Sequence, residues 1–111
     1  MKMAVKETLE TLKEKMNSNP EGIQGLNTTY QFDLTGTDEG IYQIKFEDGQ
    51  VEYVLGETYE PKCTLALSDA NFLKLVAGKL NPTMAFMGGK LKIKGEMGLA
   101  LKLQNVLKNY Q

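Results

Sequence analysis

The chain has 111 residues, enough for one domain with one hydrophobic core. Thirteen lysines face fourteen acids for a net charge of −1, with no histidine and one cysteine. Ser-His-Asp and Cys-His catalysis, most transition-metal sites and an internal disulfide are thereby excluded. No apolar run approaches the ~20 residues of a membrane span. The opening Met-Lys-Met-Ala-Val-Lys-Glu enters a charged helical pattern at once, which sets the expectation of no signal peptide and a cytoplasmic location.

Charge is distributed unevenly. Residues 1–71 hold six lysines against thirteen acids, net −7, while residues 72–111 hold seven lysines against Glu96 alone, net +6. Such a split can orient a protein on anionic lipid or on a phosphate-bearing ligand; solvated faces that happen to differ would look the same.

In chain order, Val5, Leu9, Leu12 and Met16 form an amphipathic stripe that predicts a helix over about 3–17. Asn19-Pro20-Glu21 starts a second, short helix with a cap, a proline at the first position and an acid near the positive end. Tyr30, Phe32 and Leu34 alternate with polar residues as a half-buried strand. Strands over 41–47 and 50–55 flank Asp48-Gly49, a strong two-residue hairpin signal. That turn fixes a register: Phe46 opposite Val51, Ile44 opposite Tyr53, Tyr42 opposite Leu55, and Lys45 opposite Glu52 as an ion pair. Cys63, Leu65 and Leu67 alternate in a fourth strand, where Cys63 reads as a small core residue. Ser68 caps a helix carrying Phe72, Leu75, Val76 and Leu80 on one side, widened by Leu73. Asn81-Pro82 caps a short helix with Met84 and Met87, stopped by Gly88-Gly89. A fifth strand over 90–94 alternates Leu91 and Ile93 with three lysines, and a last helix covers about 96–109.

On a wheel of about 100° per residue, that last helix gathers Leu99, Ala100, Leu103, Val106, Leu107 and Tyr110 on one broad face. Met97 and Leu101 lie outside it, so the N-terminal half needs a second apolar neighbour: a ligand, a nearby helix or a partner chain. Gly88-Gly89-Lys90 lacks the spacing, the Ser or Thr and the following helix of a phosphate loop. The acids at turns form no carboxylate pair in an apolar setting, so no catalytic residue is assigned. Lys90, Lys92 and Lys94 suit the protection of an edge strand or the attraction of an anionic headgroup. Nucleic-acid binding is disfavoured, because the chain has no arginine and its basic part lacks exposed aromatics.

The stretch Asn81–Gln104 resembles the C-terminal signature of the sterol carrier protein type-two family, the non-specific lipid-transfer domains. The resemblance rests on Phe86, on Gly89-Lys90-Leu91-Lys92-Ile93-Lys94-Gly95, on Met97-Gly98-Leu99-Ala100 and on Lys102-Leu103-Gln104, and extends upstream through Cys63-Thr64 and Gly78-Lys79-Leu80-Asn81-Pro82. Glu96 stands where family members often carry Asn or Asp, the tryptophan common in the second strand is absent, and Asn109-Tyr110-Gln111 is not a peroxisomal tripeptide.

The resemblance implies a single α+β domain over 1–111: a five-stranded, mostly antiparallel sheet covered by helices and enclosing an apolar tunnel. It implies a non-enzymatic module that binds and transfers fatty acid, acyl-CoA, phospholipid or sterol, with no cofactor or metal. On that reading, Phe32, Ile44, Phe72, Leu75, Val76, Met84, Met87, Leu91, Ile93, Met97 and Leu101 line the tunnel. Lys90 and Lys92 attract the headgroup, and a transient contact with an anionic membrane follows. The alternatives are a dimerisation module that covers Met97 and Leu101 with a second chain, leaving monomer or homodimer open, and an accessory domain that presents lipid to a separate enzyme.

Overall fold

The computed structural model describes residues 4–111; the expected helix start at Met3 lies outside the described residues. The chain forms α1 (Ala4–Ser18), a 3-10 turn (Pro20–Ile23), β1 (Thr28–Thr35), β2 (Gly40–Glu47), β3 (Gln50–Leu55), β4 (Cys63–Ser68), α2 (Asp69–Val76), α3 (Pro82–Met87), β5 (Lys92–Gly95) and α4 (Met97–Lys108). The sheet runs in the order β3-β2-β1-β4-β5. β1 pairs parallel with β4 and every other pairing is antiparallel, so the sheet is mixed and mostly antiparallel.

One face of the sheet carries the core. Tyr30, Phe32, Ile44, Phe46, Leu65 and Leu67 are buried there beneath the helices. α1 lays Val5, Leu9, Leu12 and Met16 onto it, and the Tyr53 hydroxyl donates to Glu10 Oε1 at 2.8 Å. α2 inserts Phe72 edge-on against Phe32, with centroids 5.0 Å apart. α4 buries Ala100, Leu103, Val106 and Leu107. The Tyr30 hydroxyl crosses beneath α4 and donates to the Leu99 carbonyl at 2.7 Å. The opposite face is polar. Its loop over 56–62 is clasped by fully buried Gln43, whose amide nitrogen donates to the Tyr59 carbonyl and whose oxygen accepts from the Tyr59 amide. Asn17 satisfies edge strand β3 by bonding both the amide and the carbonyl of Val51.

The hairpin has the expected register throughout, and Asp48 and Gly49 both take positive φ, 51° and 74°, as a type I′ turn requires. Three local expectations are corrected. Lys45 lies opposite Glu52 but pairs with Glu47 at 3.4 Å, because the Tyr59 ring sits 4.4 Å from its ammonium and the Tyr59 hydroxyl lies 3.4 Å from Glu52. α2 stops at Val76 and does not reach Leu80: Gly78 adopts φ 81°, and the Lys79 amide reaches back to the Lys74 carbonyl at 2.8 Å. β5 begins at Lys92, since the amides of Lys90 and Leu91 both bond to the Ala85 carbonyl at the end of α3.

Candidate lipid site

Where α2 breaks off, the chain turns away from the core and leaves an opening between α2, α3 and α4. A cleft of about 750 Å³ lies there. Its floor is apolar: Leu75 from α2, Ala85 from α3 and Leu107 from α4, all buried. Leu80, freed from the helix by the turn at Gly78, forms one wall. Met84 forms the lip and Gln104 the far side. Lys79, Lys90 and Lys108, all exposed, stand around the rim, and among the described residues no acidic side chain lines the cleft. An apolar floor under a rim whose charged side chains are all cationic suits an amphiphile with a negative end.

α3 determines the shape of the opening. Asn81 Oδ1 accepts from the Met84 amide at 3.1 Å, Pro82 fills the first helical position, and Gly88 and Gly89 end the helix after six residues. Only Pro82 and Ala85 are buried along it. The two hydrogen bonds that the Lys90 and Leu91 amides donate to the Ala85 carbonyl then direct two neighbours oppositely: Leu91 enters the core and Lys90 stays at the rim.

The residues expected to line a tunnel separate into groups. Leu75 and Met84 meet in the cleft, together with rim residue Lys90. Phe32, Ile44, Phe72 and Leu91 are packed into the core, with half-buried Ile93 against it. Val76 lines a different cleft, about 590 Å³, between α1 and α2. Lys92 lines a third, about 630 Å³, at the end of the sheet. Met87, Met97 and Leu101 are exposed and outside all three. The expected enclosed tunnel is not seen among the described residues; the apolar space opens to the surface as clefts. The α1–α2 cleft sets Glu7 against Lys15, and the sheet-end cleft sets Asp33 and Glu39 against Lys90 and Lys92. Of these three clefts, the first alone has lysines with no acidic side chain on its lining among the described residues.

Sequence reasoning missed Leu80 as a wall, and Lys79, Gln104 and Lys108 at the margin. The signal for Leu80 was Gly78, a helix stop four residues before Pro82. The signal for Gln104 and Lys108 was their place at seven and eleven residues from Met97, on the stripe that already looked surplus. Cys63 is buried, and burial first, then the nearby Glu96 charge, pushes its thiol pKa up, which opposes a role as nucleophile. Burial likewise pushes the Tyr30 phenol up, with Cys63 adding to it.

Comparison with known proteins agrees with this architecture. The SCP-2 sterol transfer family matches residues 9–108. The bovine (Bos taurus) hydroxysteroid dehydrogenase-like protein 2 is 38% identical over 107 residues, which cover 94% of this chain and 25% of that protein. The chain thus spans about a quarter of the length of such relatives. The sterol carrier protein domain 2 of Helicoverpa armigera superposes with a TM-score of 0.79 at 33% identity, over 95% of this chain and 86% of the other. Sterol carrier protein 2 of Aedes aegypti, solved in complex with palmitate, superposes with a TM-score of 0.73 at 15% identity over 96% of each chain, a likeness of fold. The chain belongs to the SCP-2 sterol transfer family. Among the described residues no helix is long and apolar enough to cross a membrane.

Proposed function

We propose that the chain binds lipid with a negatively charged end, of the fatty-acid class, with its tail on the floor of Leu75, Ala85 and Leu107 and its head among Lys79, Lys90 and Lys108. The carrying observation is that floor beneath a rim of three exposed lysines with no acid among the lining residues. The palmitate bound by the Aedes aegypti fold neighbour supports the choice of ligand class. About fifteen methylenes at ~0.8 kcal/mol each would give about 12 kcal/mol if fully buried, an upper bound for an open cleft. With an association cost of about 4 kcal/mol, micromolar binding is the tightest expected.

A second reading is favoured by the relatives. The matching segment is a quarter of hydroxysteroid dehydrogenase-like protein 2, which supports a reading in which this domain presents lipid to a separate catalytic unit. Native mass spectrometry of the purified chain and displacement of a fluorescent fatty acid test the binding. Leu80→Glu places a carboxylate beside the tail and lowers affinity while the domain still melts cooperatively. A folded Leu80→Glu protein with unchanged affinity refutes the cleft as the site.

A further inference from the structure

The sulfur atoms of the described residues fall into two sets. Cys63 and Met16 are sealed in the core, 1% and 0% exposed. Met84, Met87 and Met97 stand in water, 72%, 80% and 47% exposed. Met84 and Met87 are three residues apart on α3, which makes them neighbours on its surface, and Met84 forms the lip of the cleft. Core filling does not account for them, because α3 commits only Pro82 and Ala85 to the interior. Leucine would be as apolar at the lip, but a thioether brings a chemistry that leucine lacks: it takes up one oxygen atom and becomes a polar sulfoxide.

We infer that Met84 and Met87 are sites of reversible oxidation by a small hydroperoxide, and that their sulfoxides lower the affinity of the cleft for lipid. The Sδ lone pair of each methionine attacks one oxygen of hydrogen peroxide. The S–O bond forms as the O–O bond breaks, and the second oxygen leaves with both hydrogens as water. Sulfur is oxidised by two electrons and the peroxide is reduced by two. A reductase drawing two electrons from a dithiol removes the oxygen again as water. The sulfoxide oxygen is a strong acceptor that holds water, so an apolar tail passing the lip meets a hydrated group in place of a thioether. The floor of Leu75, Ala85 and Leu107 is untouched, because those side chains are buried and carry no sulfur. The fold survives the change, since the cap at Asn81, the stop at Gly88-Gly89 and the buried Pro82 and Ala85 hold α3 without either methionine. The inference rests on the lipid-binding reading and gives that same cleft a redox control.

Graded treatment of the full chain with hydrogen peroxide tests it. Peptide mapping by mass spectrometry is expected to find Met84 and Met87 oxidised at least about tenfold faster than Met16. Titration with a fluorescent fatty acid is expected to show Kd rising about tenfold in the oxidised chain, with a thermal melt that stays cooperative. Methionine sulfoxide reductases supplied with dithiothreitol restore the affinity. Met84→Leu/Met87→Leu binds like the untreated chain and no longer responds to peroxide, whereas Met97→Leu responds as fully as the parent. Unchanged affinity in a chain mapped as oxidised at both positions overturns the inference. So does an equal loss in Met84→Leu/Met87→Leu, or oxidation of Met16 as fast as that of Met84. The untreated sample keeps the two readings apart: a chain that takes up no fatty acid before peroxide refutes the cleft and the switch together, and binding that survives oxidation refutes the switch alone.

Discussion

If lipid binds in the cleft as proposed, chain length, not the headgroup, is the main determinant of affinity. Its floor is formed by side chains buried in the core, so each methylene laid on it leaves water on the side that meets the floor, worth up to ~0.8 kcal/mol. Shortening a sixteen-carbon carboxylate by four methylenes therefore costs up to about 3 kcal/mol, or up to about 200-fold in Kd. The rim lysines act differently. Lys79, Lys90 and Lys108 are exposed, so a carboxylate meets them through solvent, at about 1 kcal/mol in total. Replacing palmitate with hexadecanol then costs only about fivefold, and that difference disappears in high salt. Competition of dodecanoate, tetradecanoate, palmitate and hexadecanol against a fluorescent fatty acid measures both slopes in one titration. A larger loss for hexadecanol than for dodecanoate refutes the reasoning, because it would mean that the charged end, not the floor, holds the ligand.

Two further outcomes concern the frame around the cleft. Gly95 takes φ 91°, and a Cβ there would meet the Lys62 carbonyl oxygen, a backbone atom that cannot yield cheaply. Gly95→Ala is expected to cost about 3 kcal/mol or more and to lower Tm by about 10 °C, whereas Gly25→Ala, at φ 78° with open space around it, costs about 1 kcal/mol; equal shifts in a thermal melt would contradict this. Cys63 and Tyr30 are both raised by burial from their ordinary values of 9.0 and 10.0, so their neutral forms are the ones the fold favours. Their contribution is complete below about pH 9 and is lost as pH rises through the raised folded values. Urea midpoints should fall with rising pH above that point, and Tyr30→Phe with Cys63→Ala should flatten the fall. At neutral pH Tyr30→Phe alone should cost about 1 kcal/mol for the lost bond to Leu99.

Much of this frame was legible in the chain. Asp48-Gly49 dictated a two-residue turn, and the turn dictated every pairing between β2 and β3. The stripe of Val5, Leu9, Leu12 and Met16 and the caps at Ser68 and Asn81 were local signals and appear as expected. What could not be read was whatever depended on distant contacts. Nothing near Lys45 announces that Tyr59, fourteen residues on, will occupy the space before Glu52. Periodicity assigned Leu80 to a helix because it does not register the positive φ that Gly78 allows. The surplus of Met97 and Leu101 was visible on a wheel, but a wheel cannot distinguish a tunnel wall from an outward face. Phe72 and Leu91 looked alike as pocket candidates because apolar strands and helices bury the same residue types in solid core as around a ligand.

α3 is the lightest wall of the cleft. Of its six residues only Pro82 and Ala85 reach the interior, between an asparagine cap and a pair of glycines, while the Ala85 carbonyl anchors the segment that carries Leu91 into the core. On the proposed reading, the flexible exposed methionines of this short helix, not its backbone, would accommodate tails of different thickness, saturated or bent, and selectivity among them would be shallow by construction. A groove made this way would sort its cargo by reach, not by contour.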